Sequence, residues 1–251
     1  MVRELRRLLI DPARLLNGAM AEGHLPLQRE EDHYLARVLR LRPGDAVTVI
    51  DGCGGLWRAQ RGEGAWLEAL QREGGPAPPP QPRLCLALAL PRQDVDLVWR
   101  MATELGIDRL QPLLAERCQG SGRRPMPERW SAVIREATEQ CERLWLPQLE
   151  TVHDAAAWLM QPRDTVKLLA TTRREQLPPL EACLRDRSVQ LTTPAELTLA
   201  IGPEGGWTPR EEELAEASGW WAVSLGDTIL RTTTAAVAGI SRLAAWRQLS
   251  C

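Results

Sequence analysis

Apolar and polar positions follow two different rhythms along the chain. Up to residue 72, short β-rich runs at Ala46–Ile50, 56–60 and 65–69 stand between Gly-bearing turns at Asp51-Gly52, Gly54-Gly55 and 62–64, and a helical stretch over 30–39 precedes them. Closely spaced short strands of this kind predict a small barrel-like β domain over residues 1–72. Beyond residue 82 the rhythm changes. An unbroken apolar run over 84–90 predicts a buried strand, 94–105 has helical spacing, Arg109–Leu114 reads as a strand and 127–143 as a helix. Further strands are predicted at Val166–Ala170, 197–201 and 222–225, and a last helix over 234–249. Strands alternating with helices imply a parallel sheet covered on both faces, hence an α/β domain over 83–251. Residues 171–196, with Pro178, Pro179 and Pro194, read as a loop carrying a short helix. Between the two rhythms, Glu73-Gly74-Gly75-Pro76-Ala77-Pro78-Pro79-Pro80-Gln81-Pro82 has the composition of a semi-rigid spacer, which predicts a linker over 73–82.

Composition narrows the class. With 251 residues, 44% hydrophobic and 25% charged, the chain can bury a proper core in two domains. No apolar run approaches the roughly 20 residues of a membrane span, and the start of the chain lacks a secretory pattern, so the expected location is cytoplasmic. Six cysteines and three histidines are scattered without metal-ligand spacing, which predicts neither a metal site nor a disulfide framework. A net charge of -2 argues against coating nucleic acid by bulk electrostatics. Nearly all positive charge is arginine, with Lys167 the one lysine, and local clusters stand out: Arg3, Arg6 and Arg7; Arg37, Arg40 and Arg42; Arg117, Arg123, Arg124 and Arg129. A solvated face explains any one of them, whereas together they suit phosphate contact, because a guanidinium meets two oxygens at once. Arg7, Arg40, Arg42, Arg123 and Arg124 are the candidate RNA-contacting residues.

Chemistry concentrates near the C-terminus. Ile201-Gly202-Pro203-Glu204-Gly205-Gly206-Trp207 follows a predicted strand and leads into Thr208-Pro209-Arg210-Glu211, a helix start with an N-cap Thr, Pro at the first helical position and Glu three residues after the cap. Some twenty residues on comes Leu225-Gly226-Asp227-Thr228-Ile229-Leu230-Arg231-Thr232-Thr233-Thr234-Ala235. Glycine at three of five loop positions frees the backbone and exposes its polar groups to a ligand. Both segments fall at the C-terminal ends of predicted strands, where parallel sheets bind ligands.

These two segments, together with Ala102-Thr103-Glu104-Leu105-Gly106 and Glu136-Ala137-Thr138-Glu139-Gln140, resemble the ribosomal RNA small-subunit methyltransferase E family, in that order along the chain. His33-Tyr34-Leu35 and 38–45 are similar to the signature of its N-terminal domain. The resemblance implies a PUA-like RNA-binding β-barrel followed by a SPOUT-class α/β domain with a parallel sheet and a trefoil knot. It further implies a homodimer, with 16S ribosomal RNA or the small subunit as partner and S-adenosylmethionine as cofactor, methylating N3 of one uridine. The segments assigned to the cofactor are Ala170 and Thr171, Gly202, Pro203, Glu204, Gly205 and Gly206, and Leu225, Gly226, Ile229, Leu230 and Ala235. Two positions depart from the family: Met101 stands where Lys is usual and Thr233 where Glu is usual.

Methyl transfer to a ring nitrogen needs alignment, removal of the N3 proton and stabilisation of the anion at O2 or O4. Glu204 and Arg231 are the candidates for those charges. A loop hydrogen bond fits Glu204 as well, and a salt bridge fits Arg231. Helix positions 136, 139, 140 and 143 have intrahelical pairing distance, while the resemblance turns 139, 140 and 143 towards the site or a dimer interface. Two rival classes remain: a non-catalytic RNA-binding protein that has kept the cofactor fold, and a ribose 2′-O-methyltransferase.

Overall fold

A computed structural model describes residues 7–118, 125–163, 165–172, 174–185 and 196–250. The chain divides into two compact units, residues 1–79 with 135–146, and residues 80–134 with 147–251.

In the first unit, strand β1 (Arg7–Leu9) leads into helix α1 (Pro12–Met20), β2 (Leu25–Pro26), α2 (Arg29–His33) and one π-helical turn (Tyr34–Val38). Strands β3 (Ala46–Ile50), β4 (Leu56–Arg61) and β5 (Trp66–Arg72) follow. The five strands form one curled sheet in the order β1-β3-β4-β5-β2. β1 lies parallel to β3, with helices between them in the chain, and the β3-β4-β5 meander is antiparallel. The predicted third strand runs three residues past its expected end. A register shift between Arg58 and Gln60 and a positive φ of 50° at Ala69 form a bulge that lets β5 turn and continue. Leu8, Ile10, Leu15, Leu25, Leu35, Val47, Val49, Trp57 and Leu67 fill the core.

The early elements were not among those predicted, although α1 has a legible start. Asp11 caps it, accepting from the Ala13 and Arg14 N–H groups at 2.9 and 3.3 Å, and Pro12 follows at the first helical position. Arg14 then clamps the buried Glu31 carboxylate with two bonds of 2.6 and 3.0 Å. That carboxylate also takes the Gln28 N–H at 2.8 Å, closing a capping box at α2.

The second unit opens with β6 (Arg83–Ala89), α3 (Val95–Glu104) and β7 (Arg109–Leu114). Next come α4 (Pro127–Gln140), β8 (Gln148–Leu149), β9 (His153–Asp154), α5 (Ala155–Leu159), β10 (Val166–Ala170) and α6 (Leu180–Arg185). It ends with β11 (Glu196–Ile201), α7 (Pro209–Ala217), β12 (Trp221–Val223) and α8 (Thr232–Ser250). The sheet order is β12-β10-β11-β6-β7-β8, with β9 also on β7, and every described pairing in it is parallel. This is the α/β architecture expected of the alternating pattern. Alternation along each strand sorts the core. Leu84, Leu86, Leu88, Leu197, Leu199 and Ile201 meet α3, the first half of α4 and α8 on one face. Ala87, Ala89, Leu113, Leu169 and Ala200 meet α5 and α7 on the other. The small residues on the second face let its helices approach closely.

Helix α4 ends three residues before its predicted end, and its parts belong to different units: 127–134 to the second and 135–140 to the first. Glu139 serves the first unit, where its carboxylate accepts the Leu9 N–H at 2.9 Å. Burial raises its pKa. Trp130, Ile134, Ile240 and Leu243 are buried within the chain's own core. No described helix is long and apolar enough to cross a membrane. Burial pushes the Cys85 thiol up to about 12, as suits a core cysteine in the strand β6.

Trp99 and Trp130 meet edge to face at 6.1 Å between ring centroids, and Trp99 is fully buried. Trp99→Ala should cost about 3–5 kcal/mol of stability, the usual penalty for emptying a large aromatic site. Urea denaturation checks it, and a loss below about 1 kcal/mol would mean that the site collapses around the vacancy.

Candidate active site

Strand ends build the site. Beyond β11 the chain forms a turn in which the Gly206 N–H donates to the Pro203 carbonyl at 2.8 Å. Of the three loop glycines only Gly206 takes a positive φ, 70°. Conformational freedom is therefore needed at Gly206, while Gly202 and Gly205 are needed for space. A Cβ on Gly202 would lie 3.2 Å from the Trp207 indole, and one on Gly205 would lie 3.0 Å from the Arg117 Cβ. The Trp207 indole N–H reaches across to the Ala170 carbonyl at the end of β10, 3.1 Å away. Arg117 Nη1 donates to the Gly205 and Trp207 carbonyls, both at 2.9 Å. The loop is then locked into α7 by a capping box, in which Thr208 Oγ1 accepts the Glu211 N–H at 3.2 Å and Glu211 accepts the Thr208 N–H at 2.8 Å. The other Glu211 oxygen takes the Glu116 N–H at 2.9 Å. From the start of α8, Thr232 Oγ1 donates to the Gly202 carbonyl at 3.1 Å.

Around this frame lies an open cleft. Every residue assigned to a cofactor from sequence lines it: Ala170 and Thr171 at the end of β10, the run 202–206 after β11, and Leu225, Gly226, Ile229, Leu230 and Ala235 after β12. Arg117, Thr172, Trp207, Glu212, Thr228 and Thr232 line it too and were not assigned to it. For Trp207 and Thr232 the signal was present, since both lie inside the motif runs. For Arg117 it was not, because its role depends on which strand end faces the loop.

The two candidate catalytic residues differ in their ties. Glu204 is exposed, and its Oε1 accepts the Arg92 N–H at 2.9 Å, so the loop hydrogen bond considered for it exists. Arg231 is exposed just before α8 and has no ion-pair partner among the described residues, although its side chain is not among those lining the cleft. Of the candidate RNA contacts, Arg7 gives its guanidinium to Glu142, with an ion pair of 3.1 Å and a bond to the Glu142 carbonyl. Arg40 and Arg42 are exposed, Arg40 with a left-handed φ of 55°. Arg123 and Arg124 lie outside the described residues, as do Arg3 and Arg6. Among the described residues no group of three or more His, Cys, Asp or Glu could hold a metal ion.

A parallel sheet whose strand ends carry such a cleft, after a β-rich domain, is the architecture of an RNA methyltransferase. A family model described as an RNA methyltransferase domain matches residues 78–244, and one described as an RNA methyltransferase PUA domain matches residues 27–60. The ribosomal RNA small subunit methyltransferase E of Synechocystis is 38% identical over 94% of this chain and 76% of that protein. The one from Mycobacterium bovis is 32% identical over 84% of this chain and 82% of that protein. The crystal structure of the Neisseria gonorrhoeae enzyme of the same name, bound to S-adenosyl methionine, superposes with a TM-score of 0.72 at 27% identity, covering 88% of this chain and 90% of that one. The chain belongs to the ribosomal RNA small subunit methyltransferase E family.

If Arg117 and the missing Gly205 Cβ hold the turn, Gly205→Val should push the arginine off its two carbonyls and loosen the loop. Hydrogen exchange at the Gly206 amide should then speed up by about tenfold or more, as for a locally opened segment. Unchanged protection would mean that the turn holds without Arg117.

Proposed function

We propose that the chain transfers a methyl group from S-adenosylmethionine to N3 of one uridine in 16S ribosomal RNA. The observation that carries this reading is the cleft bounded by the two Gly-bearing segments and the end of β10, with Arg231, which has no ion-pair partner among the described residues, in the segment that follows β12. The cofactor fits what lines the cleft: the backbone groups of 170–172 and 202–206 that are not already bonded within the frame offer polar partners to a base edge, and Leu225, Ile229 and Leu230 offer apolar cover for a ring. When bound, it supplies an electrophilic methyl carbon on a sulfonium.

The chain's own residues orient and move charge. The anchored loop 202–207 fixes the donor against the acceptor, and alignment of this kind accounts for much of the rate of a displacement. Arg231, with no carboxylate paired to it among the described residues, stabilises the negative charge that grows on the uracil carbonyl oxygens. Glu204 takes the N3 proton with the carboxylate oxygen that does not accept the Arg92 N–H. Residues 1–72 grip the RNA, with Arg40 and Arg42 as phosphate contacts, and residues 83–251 carry the chemistry, joined through 73–82. Arg7 contributes less, since Glu142 already holds it. A homodimer, the trefoil knot and a cytoplasmic location belong to the same proposal and rest on the family resemblance.

Incubation of small ribosomal subunits with the protein and cofactor, followed by nucleoside mass spectrometry of the 16S RNA, should yield N3-methyluridine. A 2′-O-methyl nucleoside would favour the ribose enzyme. Cofactor binding with no product would favour the non-catalytic binder, for which Met101 and Thr233 speak as departures from the usual charges.

Division of labour is testable in single-turnover assays. Arg40→Ala with Arg42→Ala should weaken RNA binding and flatten its salt dependence, by about one counterion per lost phosphate contact, at unchanged cofactor affinity. Arg231→Ala should leave RNA affinity nearly intact and slow methylation by about 10²-fold or more. A normal rate in that variant would remove Arg231 from the chemistry. Sedimentation at micromolar concentration should give a dimer, and a monomer would count against the assembly.

A further inference from the structure

We infer that Glu212 sets a charge preference in the cleft, holding the cationic sulfonium form of the cofactor more tightly than the neutral thioether left after transfer. This rests on the methyltransferase reading above. Among the described residues, three charged side chains line the cleft: Arg117, Glu204 and Glu212. Arg117 is committed to two backbone carbonyls, and Glu204 is exposed, so water screens it. Glu212 is different. Its side chain is only 19% exposed, and it stands on α7, whose orientation is fixed by the Thr208–Glu211 capping box and by the Glu116 N–H. The buried Thr171 hydroxyl donates to one of its carboxylate oxygens.

Arg174 does not cancel this charge. Its Nη1 lies 3.7 Å from the second Glu212 oxygen, but it also pairs, more closely, with Glu216. One guanidinium shared by two carboxylates leaves a net charge of about -1 on the trio, and its side chain is 38% exposed, where screening weakens what it gives to either. A carboxylate in a partly covered cleft acts over several ångströms without direct contact.

The reaction changes the ligand's charge by one. As N3 bonds to the methyl carbon, the carbon–sulfur bond breaks with its electron pair remaining on sulfur, and the N3 proton passes to the base. The sulfonium becomes a thioether, and the attraction to Glu212 falls away at that step. Glu212 therefore favours loading of the methyl donor and release of the spent product, a specificity-determining role separate from methyl transfer itself.

Calorimetric titration of the full chain with S-adenosylmethionine and with S-adenosylhomocysteine tests it. Glu212→Gln keeps an oxygen to accept from Thr171, so the wall should persist. Its affinity for S-adenosylmethionine should fall by about tenfold while that for S-adenosylhomocysteine changes by less than about twofold. Arg174→Gln, which removes the partial counter-charge, should shift the ratio the other way, by about threefold in favour of the sulfonium. Equal losses for both ligands in Glu212→Gln, or no change in either, would overturn the inference while leaving the methyltransferase reading intact. No binding of either ligand by the unaltered chain would overturn the cofactor reading, and this inference with it.

Discussion

The cleft depends on one bond, from the Trp207 indole N–H to the Ala170 carbonyl at 3.1 Å. β10 and β11 are parallel neighbours in the sheet, and the indole ties the loop that follows β11 to the end of β10. Trp207 is 5% exposed, so the bond is shielded from water and its loss would strand a buried donor. Other constraints follow from the position of that ring. Gly202 lacks a Cβ because the ring occupies the space, and Arg117, just beyond the end of β7, reaches the Trp207 carbonyl. Thr208 then starts α7 at once, through a capping box that leaves no slack in the loop.

Much of this was legible in the sequence, and the reason is local. The Thr208-Pro209-Arg210-Glu211 run states its helix start in four residues, and the apolar run 84–90 can only be a buried strand in a domain where strands and helices alternate. The Gly-bearing segments announced a site because their positions follow strands. What stayed hidden is of two kinds. β1, β2, β8 and β9 are two or three residues long and are strands only because a neighbour pairs with them. The partners of the apolar positions of α4 and α8, Trp130, Ile134, Ile240 and Leu243, could not be named either, since period alone cannot say what a helix face packs against.

Arginine shows the same limit in charge. With a single lysine in the chain, guanidinium groups serve as internal fasteners as well as surface charge. Arg14 closes on Glu31, Arg109 bridges Glu150 at 2.7 Å and Glu196 at 3.3 Å, and Arg129 pairs with Asp96 at 2.5 Å. Arg7 and Arg129 stood in sequence clusters that looked basic, yet each meets a carboxylate. A cluster of like charges in sequence is thus weak evidence for a basic surface. Exposed arginines without an ionic partner among the described residues, such as Arg40, Arg42 and Arg231, carry more information, because no described carboxylate accounts for their charge.

That distinction bears on how a chain of net charge -2 can work on a polyanion. Under the proposed reading bulk attraction contributes little, and exposed arginines such as Arg40 and Arg42 meet phosphate locally, where it displaces only water. Negative charge in the same chain has the opposite task. Carboxylates left beside the cleft would repel RNA phosphates if they were exposed at its mouth, but Glu212 is largely covered and hydrogen bonded to Thr171. Its field is therefore stronger towards the cleft interior than towards solvent, where screening shortens its reach. Burial would thus let the chain meet both electrostatic demands of the proposed reaction, a cationic donor and an anionic RNA, without one cancelling the other.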